Sequence, residues 1–366
     1  MRATFTSLKR LLLASIAFVL GAIVLTYVVD PLQLFRPSRT AFYSDDTRVQ
    51  NAGLIRSQTF DTVFMGTSLA IHFRQSDIDR VLGVHSLKLA MTGSNSRQQG
   101  FVLEQAIDRG ARRVIWAMDD FIFVDAADIE ADPYLSVDLY RGTAKGIASY
   151  LLSAAMAKES LFALLRSVPP LQGPLTRAAP FLPVKFALAD VDDIYALPRD
   201  FDVAREYNAK KTLAAFAYIT SPVRSRFLGE GYGYQAMARH FERDAVGLIT
   251  RHPDVTFDIY FPPYSILQFV AMRDASPETL KIVTDLTALM AQRLTQLPNV
   301  RLYDFRTIKA VTHDLGNYGD VIHHSPVVDA MVLQWLASGK HRVDPRQPTA
   351  SLDELKAQVE AYRVPK

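Results

Sequence analysis

The sequence predicts an α/β fold: a parallel sheet covered by helices on both faces, a three-layer α/β/α sandwich, behind one N-terminal transmembrane helix. Short apolar runs recur at 61–65, 86–91, 113–118, 256–261 and 300–304, and segments of helical periodicity separate them. An uncharged apolar stretch, residues 11–29, precedes them all. A hydrophobic share of 49% against 22% charged residues is that of an ordered chain with a sizeable core, which excludes intrinsic disorder.

Residues 11–29 read LLLASIAFVLGAIVLTYVV. As a helix they span about 28 Å, close to the hydrocarbon thickness of a bilayer. Arg2, Lys9 and Arg10 precede the stretch, so the positive-inside rule puts residues 1–10 in the cytoplasm and the body outside. A cleaved signal peptide would carry a shorter apolar region, about 7–15 residues, and a small-x-small site. Here the run ends Tyr27-Val28-Val29-Asp30-Pro31, which favours an uncleaved anchor. The expected location is the inner (cytoplasmic) membrane, single-pass, with the body on the periplasmic or extracytoplasmic side. Residues 30–55, polar and rich in Arg, Ser and Asp, read as a linker to a domain at 56–345.

Within that domain, SRQQGFVLEQAIDRG at 96–110 has helical spacing and a glycine suited to end it. Residues 234–252 and 276–297 repeat the pattern, the second opening Ser276-Pro277-Glu278. The stretch from about 125 to 233 breaks the rhythm. It holds one expected helix, GIASYLLSAAMAKESLFALLRSV, and a Pro-rich piece from Pro169 to Pro183. It reads as a mostly helical insertion, either a lid or a structural subdomain. Residues 346–366 are expected to form a C-terminal helix opened by a Ser351–Glu354 capping box.

The chain has no cysteine, which excludes disulfides, thiolate zinc sites and a cysteine nucleophile. A net charge of +3 with no long basic run gives no electrostatic footprint for nucleic acid.

The chemistry concentrates in two places. Residues 61–73, DTVFMGTSLAIHF, take an apolar run into Gly66-Thr67-Ser68 and on into helix-compatible sequence. That is either a capped turn or a serine nucleophile raised where a strand meets a helix. Residues 316–326, GNYGDVIHHSP, place Asp320 three residues before His323. At that spacing the carboxylate reaches its own segment's imidazole, fixing one ring nitrogen and leaving the other for Ser68. The same stretch also reads as a solvated turn before a helix at 326–338, with Ser325 as cap and Pro326 following. His313, Asp314, Asp320, His323 and His324 are potential metal ligands, with no diagnostic spacing among them.

Taken together, strand then Gly-x-Ser, a late Asp-x-x-His and alternating strands and helices resemble the SGNH (GDSL-like) hydrolase superfamily, whose fold is flavodoxin-like. The resemblance implies Ser68 as nucleophile, His323 as general base and Asp320 as its orienter. It implies Gly93, in LAMTGSNS, as an oxyanion-hole donor beside the Ser68 N–H; Asn95, in the same loop, is a candidate for the amide that the third block lacks. In the third block the family carries Gly-x-Asn-Asp, where this chain has Ala117-Met118-Asp119-Asp120. An ionised Asp119 cannot donate to an oxyanion. Asp119, His72 (one helical turn after Ser68, or an ordinary helix residue) and Tyr264 of the Phe-Pro-Pro-Tyr turn are expected on the substrate side.

The anchor and exported body resemble the envelope branch that includes the D-alanyl transfer protein of teichoic acid synthesis and alginate O-acetyltransferase-like proteins. That implies a serine acyltransferase or esterase acting on an envelope polysaccharide, with a multi-spanning membrane-bound O-acyltransferase as partner and no cofactor or metal. The alternative is a weak or inactive SGNH-like protein that binds glycan or scaffolds such a complex.

Overall fold

The computed structural model describes residues 2–37, 47–125, 128–132, 134–166 and 206–365; the Pro-rich piece at 169–183 lies outside them. The chain divides into two compact units, Met1–Thr59 with Asp132–Asp193, and Phe60–Ala131 with Ile194–Lys366.

The second unit is built on five parallel strands in the order β2-β1-β3-β4-β5: β1 (Thr62–Met65), β2 (Ser86–Lys88), β3 (Arg113–Ala117), β4 (Thr256–Phe261) and β5 (Val300–Asp304). The register places Val63 beside Leu87 and Val114, and Trp116 beside Ile259. Successive strand residues point to opposite faces, yet Val63, Phe64 and Met65 are all fully buried. Both faces of the sheet are therefore covered, which is why the strands read as unbroken apolar runs. The five runs and their parallel arrangement match the sequence expectation.

Helices follow the strands. α3 (Ser68–Ile71) and α4 (Gln75–Leu82) come after β1, and α5 (Ser96–Asp108) after β2. The expected helix at 234–252 is continuous but widens into a π-helical turn over Phe241–Val246, where Asp244 accepts from Ser96 Oγ at 2.8 Å. The helix Pro277–Leu294 starts after Ser276, whose Oγ pairs with Thr279 Oγ1 (2.7 Å) rather than capping. The C-terminal helix, Ala350–Ala361, forms without the expected capping box. Ser351 Oγ donates to Asp304 Oδ2 at 2.8 Å, and Glu354 accepts from Gln358, so both partners are engaged elsewhere.

The first unit contains α1 (Arg2–Val29), α2 (Thr47–Ser57), α6 (Val137–Arg141), α7 (Ala144–Leu151) and α8 (Ala154–Arg166). Ser7–Val29 of α1 is long and apolar enough to cross a membrane, with mean hydropathy 2.6. The expected linker makes packed contacts in both of its described stretches, 30–37 and 47–55. Leu32 and Leu34 are buried, Gln50 Nε2 donates to Leu32 O (2.9 Å), and Gly53 lies against the same carbonyl with no room for a Cβ. The expected single helix at 146–168 is broken at Leu152-Ser153, where α7 and α8 meet at a 57° bend.

Candidate active site

β1 delivers the chain to Gly66, and the close packing there requires glycine. A Cβ on Gly66 would lie 2.7 Å from Ala70 Cβ and 2.9 Å from Ala117 Cβ. Thr67 is extended and Ser68 opens α3. The first helical donor is the Ala70 N–H, bonded to Thr67 O, so the Ser68 N–H belongs to the group a helix start leaves unmet.

The Asp-x-x-His segment is carried on a short loop pinned from several sides. Tyr318 and His324 form an isolated antiparallel bridge, and Gly319 N–H bonds His323 O at 3.0 Å. Tyr318 Oη donates to Pro263 O (2.7 Å), just past β4. From the helix Ala209–Ile219, Thr212 Oγ1 donates to Leu315 O and Tyr318 O at 2.9 and 3.0 Å.

These two elements converge. Ser68 Oγ is 3.0 Å from His323 Nε2, and His323 Nδ1 is 2.6 Å from Asp320 Oδ2. A carboxylate only accepts, so Nδ1 carries the proton and Nε2 is left to accept from the Ser68 hydroxyl. Burial pushes the Asp320 carboxyl up. The His323 ring and the backbone N–H groups of His323 and Ile322 (2.7 and 2.8 Å to Oδ1) outweigh it and hold the pKa below the usual carboxylate value. Ser68 is 9% exposed, buried yet reachable from the surface. The arrangement is that of an activated serine with an oriented base.

Asp119 and Tyr264, expected on the substrate side, are buried together beneath the nucleophile turn, 0% and 2% exposed. Asp119 accepts from Thr67 Oγ1 at 2.7 Å and from Tyr264 Oη. Burial raises its pKa to about 6 despite these donors, with the neighbouring Asp120 charge adding to the rise. Asp120, also raised by burial, accepts from Tyr232 Oη at 3.1 Å. Asp119 thus braces Thr67, the residue before Ser68, from the buried side of the turn.

Gly93 is exposed on the turn after β2, at φ +61°, a conformation that favours glycine. The turn is tied to the nucleophile elbow by Met91 N–H to Gly66 O (2.9 Å). A chain of side-chain bonds runs beneath it, from Trp116 to Gln99 to Ser94 to Met91 O. Asn95 is engaged as a helix cap. Its Oδ1 accepts from Gln98 N–H, and Gln98 Oε1 accepts from the Asn95 N–H, so only the Asn95 Nδ2 is left to serve an oxyanion.

His72 is 7% exposed and edge-on to His323, ring centroids 6.4 Å apart, which places it in the wall behind the base. His324 points the other way, buried against Phe73 with its Nδ1 2.9 Å from Asp329. His313 stacks on Tyr362 and Asp314 caps the Gly316 N–H. Among the described residues no group of three or more His, Cys, Asp or Glu is placed to hold a metal ion, so the metal-ligand reading finds no such set there.

No protein-family model, no curated protein and no solved structure matches this chain. The functional reading therefore rests on the geometry. Sequence reasoning missed the bracing residues Thr67, Thr212, Tyr232 and Tyr318. The only advance signal for any of them was the hydroxyl of Thr67 directly before Ser68.

Proposed function

We propose that this protein is a membrane-anchored, SGNH-like serine acyltransferase or esterase that acts on an envelope polysaccharide from the extracytoplasmic side of the inner membrane. The single observation carrying this is the Ser68–His323–Asp320 relay, with links of 3.0 and 2.6 Å. Further support comes from the strand order 2-1-3-4-5, the doubly wound flavodoxin-like order. Ser68 follows β1 and Asp119 follows β3, at the point where that order reverses, which is where open α/β sheets bind their ligands.

In the proposed reaction Ser68 Oγ attacks the acyl carbonyl carbon as its proton passes to His323 Nε2. The carbonyl becomes a tetrahedral oxyanion, met by the N–H groups of Ser68 and Gly93. Collapse expels the donor alcohol, which takes the proton from His323, and leaves an acyl-Ser68 ester. His323 then deprotonates an acceptor hydroxyl, or water, which attacks the ester and frees Ser68. Asp320 holds the ring tautomer throughout. The α1 anchor would keep this site near a membrane-delivered acyl donor, such as one presented by a multi-spanning O-acyltransferase, raising its effective concentration.

A second reading, a glycan-binding or scaffolding protein with weak or no catalysis, is favoured by one observation. Asp119 stands where an amide donor is expected and accepts bonds instead. Loss of one oxyanion donor costs roughly 100- to 1000-fold in turnover, which slows such an enzyme without abolishing it. Hydrolysis of an activated acetate ester by the full-length protein in detergent separates the two. Turnover abolished by both Ser68→Ala and His323→Ala supports the enzyme; turnover absent from the folded wild type favours the binding role.

A further inference from the structure

α8 packs along α1, with Ala163 against Val29, and a groove of about 580 Å³ opens between α1 and the α7–α8 pair. Phe18, Ala22 and Leu25 form one wall, and Leu151, Ala157 and Leu161 the other. Among the described residues Lys158 is the single charged one in the lining. No described residue outside its own helix turn comes within 4 Å of where a Gly21 Cβ would stand, so the α1 wall is open there.

Two observations say what covers it. Phe18 to Leu25 fall in the middle of the Ser7–Val29 stretch, whose apolar window is only 6% buried by protein, so the medium at that level is hydrocarbon. The α7–α8 corner continues the same apolar surface: Leu152, Leu161 and Leu164 are 63%, 45% and 47% exposed, the last two on one helix face. The corner is also fixed at the end of the span. Asp30, directly after α1, accepts from Tyr150 Oη at 2.9 Å and from the N–H groups of Leu34 and Phe35 at 2.9 and 2.8 Å. Tyr27, 47% exposed, is an amphipathic ring of the kind that settles at headgroup level, and Leu152 lies two residues beyond the buried Tyr150 that meets Asp30.

We propose that this groove is a lipid site: it takes one acyl chain of a bilayer phospholipid, and the α7–α8 corner is seated in the membrane beside α1. The occupant is a lipid chain because the groove is apolar and opens at hydrocarbon depth.

The cysteine-free chain makes the test direct. Single-cysteine variants Leu152→Cys and Leu161→Cys of the full-length protein are placed in phosphatidylcholine/phosphatidylglycerol vesicles, with Phe18→Cys as the buried reference and Arg346→Cys as the aqueous one. A water-soluble maleimide should modify the first three about tenfold or more slowly than Arg346→Cys, because a thiol in hydrocarbon does not ionise. In parallel, native mass spectrometry of wild type should retain one phospholipid, lost when Ala157→Trp fills the groove and kept in Arg346→Trp. Leu152→Cys or Leu161→Cys reacting as fast as Arg346→Cys overturns the membrane seating. Wild type without a retained lipid overturns the site, and a disulfide-linked dimer through Leu161→Cys assigns the groove to a second copy instead. None of these readouts depends on the chemistry of Ser68.

Discussion

Thr67 Oγ1 donates to Asp119 Oδ2 at 2.7 Å, tying the residue before Ser68 to the carboxylate that follows β3. Tyr264 Oη holds the other carboxylate oxygen, so one buried acid joins the ends of β1, β3 and β4. The elbow that presents Ser68 is thus braced from below by a group whose own protonation is finely poised.

Asp119→Ala leaves two buried hydroxyls without an acceptor and should cost about 1–3 kcal/mol in denaturant unfolding. Asp119→Asn keeps one acceptor and should cost less. The pH dependence is more telling. The pKa is raised by burial from 3.8 to about 6, so across that window the folded protein keeps a proton the unfolded chain has lost. Stability contributed by this group therefore falls as pH rises through the window, by up to about 3 kcal/mol, and levels off above it. The difference in unfolding free energy between wild type and Asp119→Asn should follow this slope; a flat difference contradicts the assignment.

Asp320→Asn keeps the size of the side chain but offers an N–H where the ring nitrogen needs an acceptor. The ring is then free to present the wrong tautomer to Ser68. Turnover of an ester probe should fall on the order of 1000- to 10,000-fold with an unchanged circular dichroism spectrum. A loss below tenfold would remove Asp320 from the relay.

Gly66→Ala forces a methyl against Ala70 and Ala117. It should destabilise the domain by about 1–3 kcal/mol as overpacking and slow acylation of Ser68 beyond what stability explains. Urea unfolding and single-turnover kinetics on the same preparation separate the two effects.

Thr212→Val removes the hydroxyl that pins the loop carrying His323 while keeping side-chain volume. The stability cost should be about 1 kcal/mol, since Tyr318 O keeps its bond from the Asn208 N–H. The kcat should drop while KM holds, because the loop loosens without touching substrate.

The sheet was legible because each strand is buried on both faces and so appears as an apolar run, as at Val63-Phe64-Met65. Ser68, Asp320 and His323 were legible because two of the three share one short segment and the third sits behind a glycine. What escaped depends on contacts distant in sequence. Asp119 is separated from Thr67 by 52 positions and from Tyr264 by 145, and nothing near it in the chain says that it turns inward to these two hydroxyls. α2 escaped because its buried positions include Gln50 and Asn51, polar residues that erase an apolar stripe. The break at Leu152-Ser153 carries no proline or glycine to announce it.

The most direct measurement is the mass of the tryptic peptide between Arg56 and Arg74 after treatment of the full-length protein with a fluorophosphonate. The account predicts one phosphonyl adduct, on Ser68, formed in wild type and absent from folded His323→Ala. An adduct on another residue, or equal labelling of His323→Ala, would contradict it.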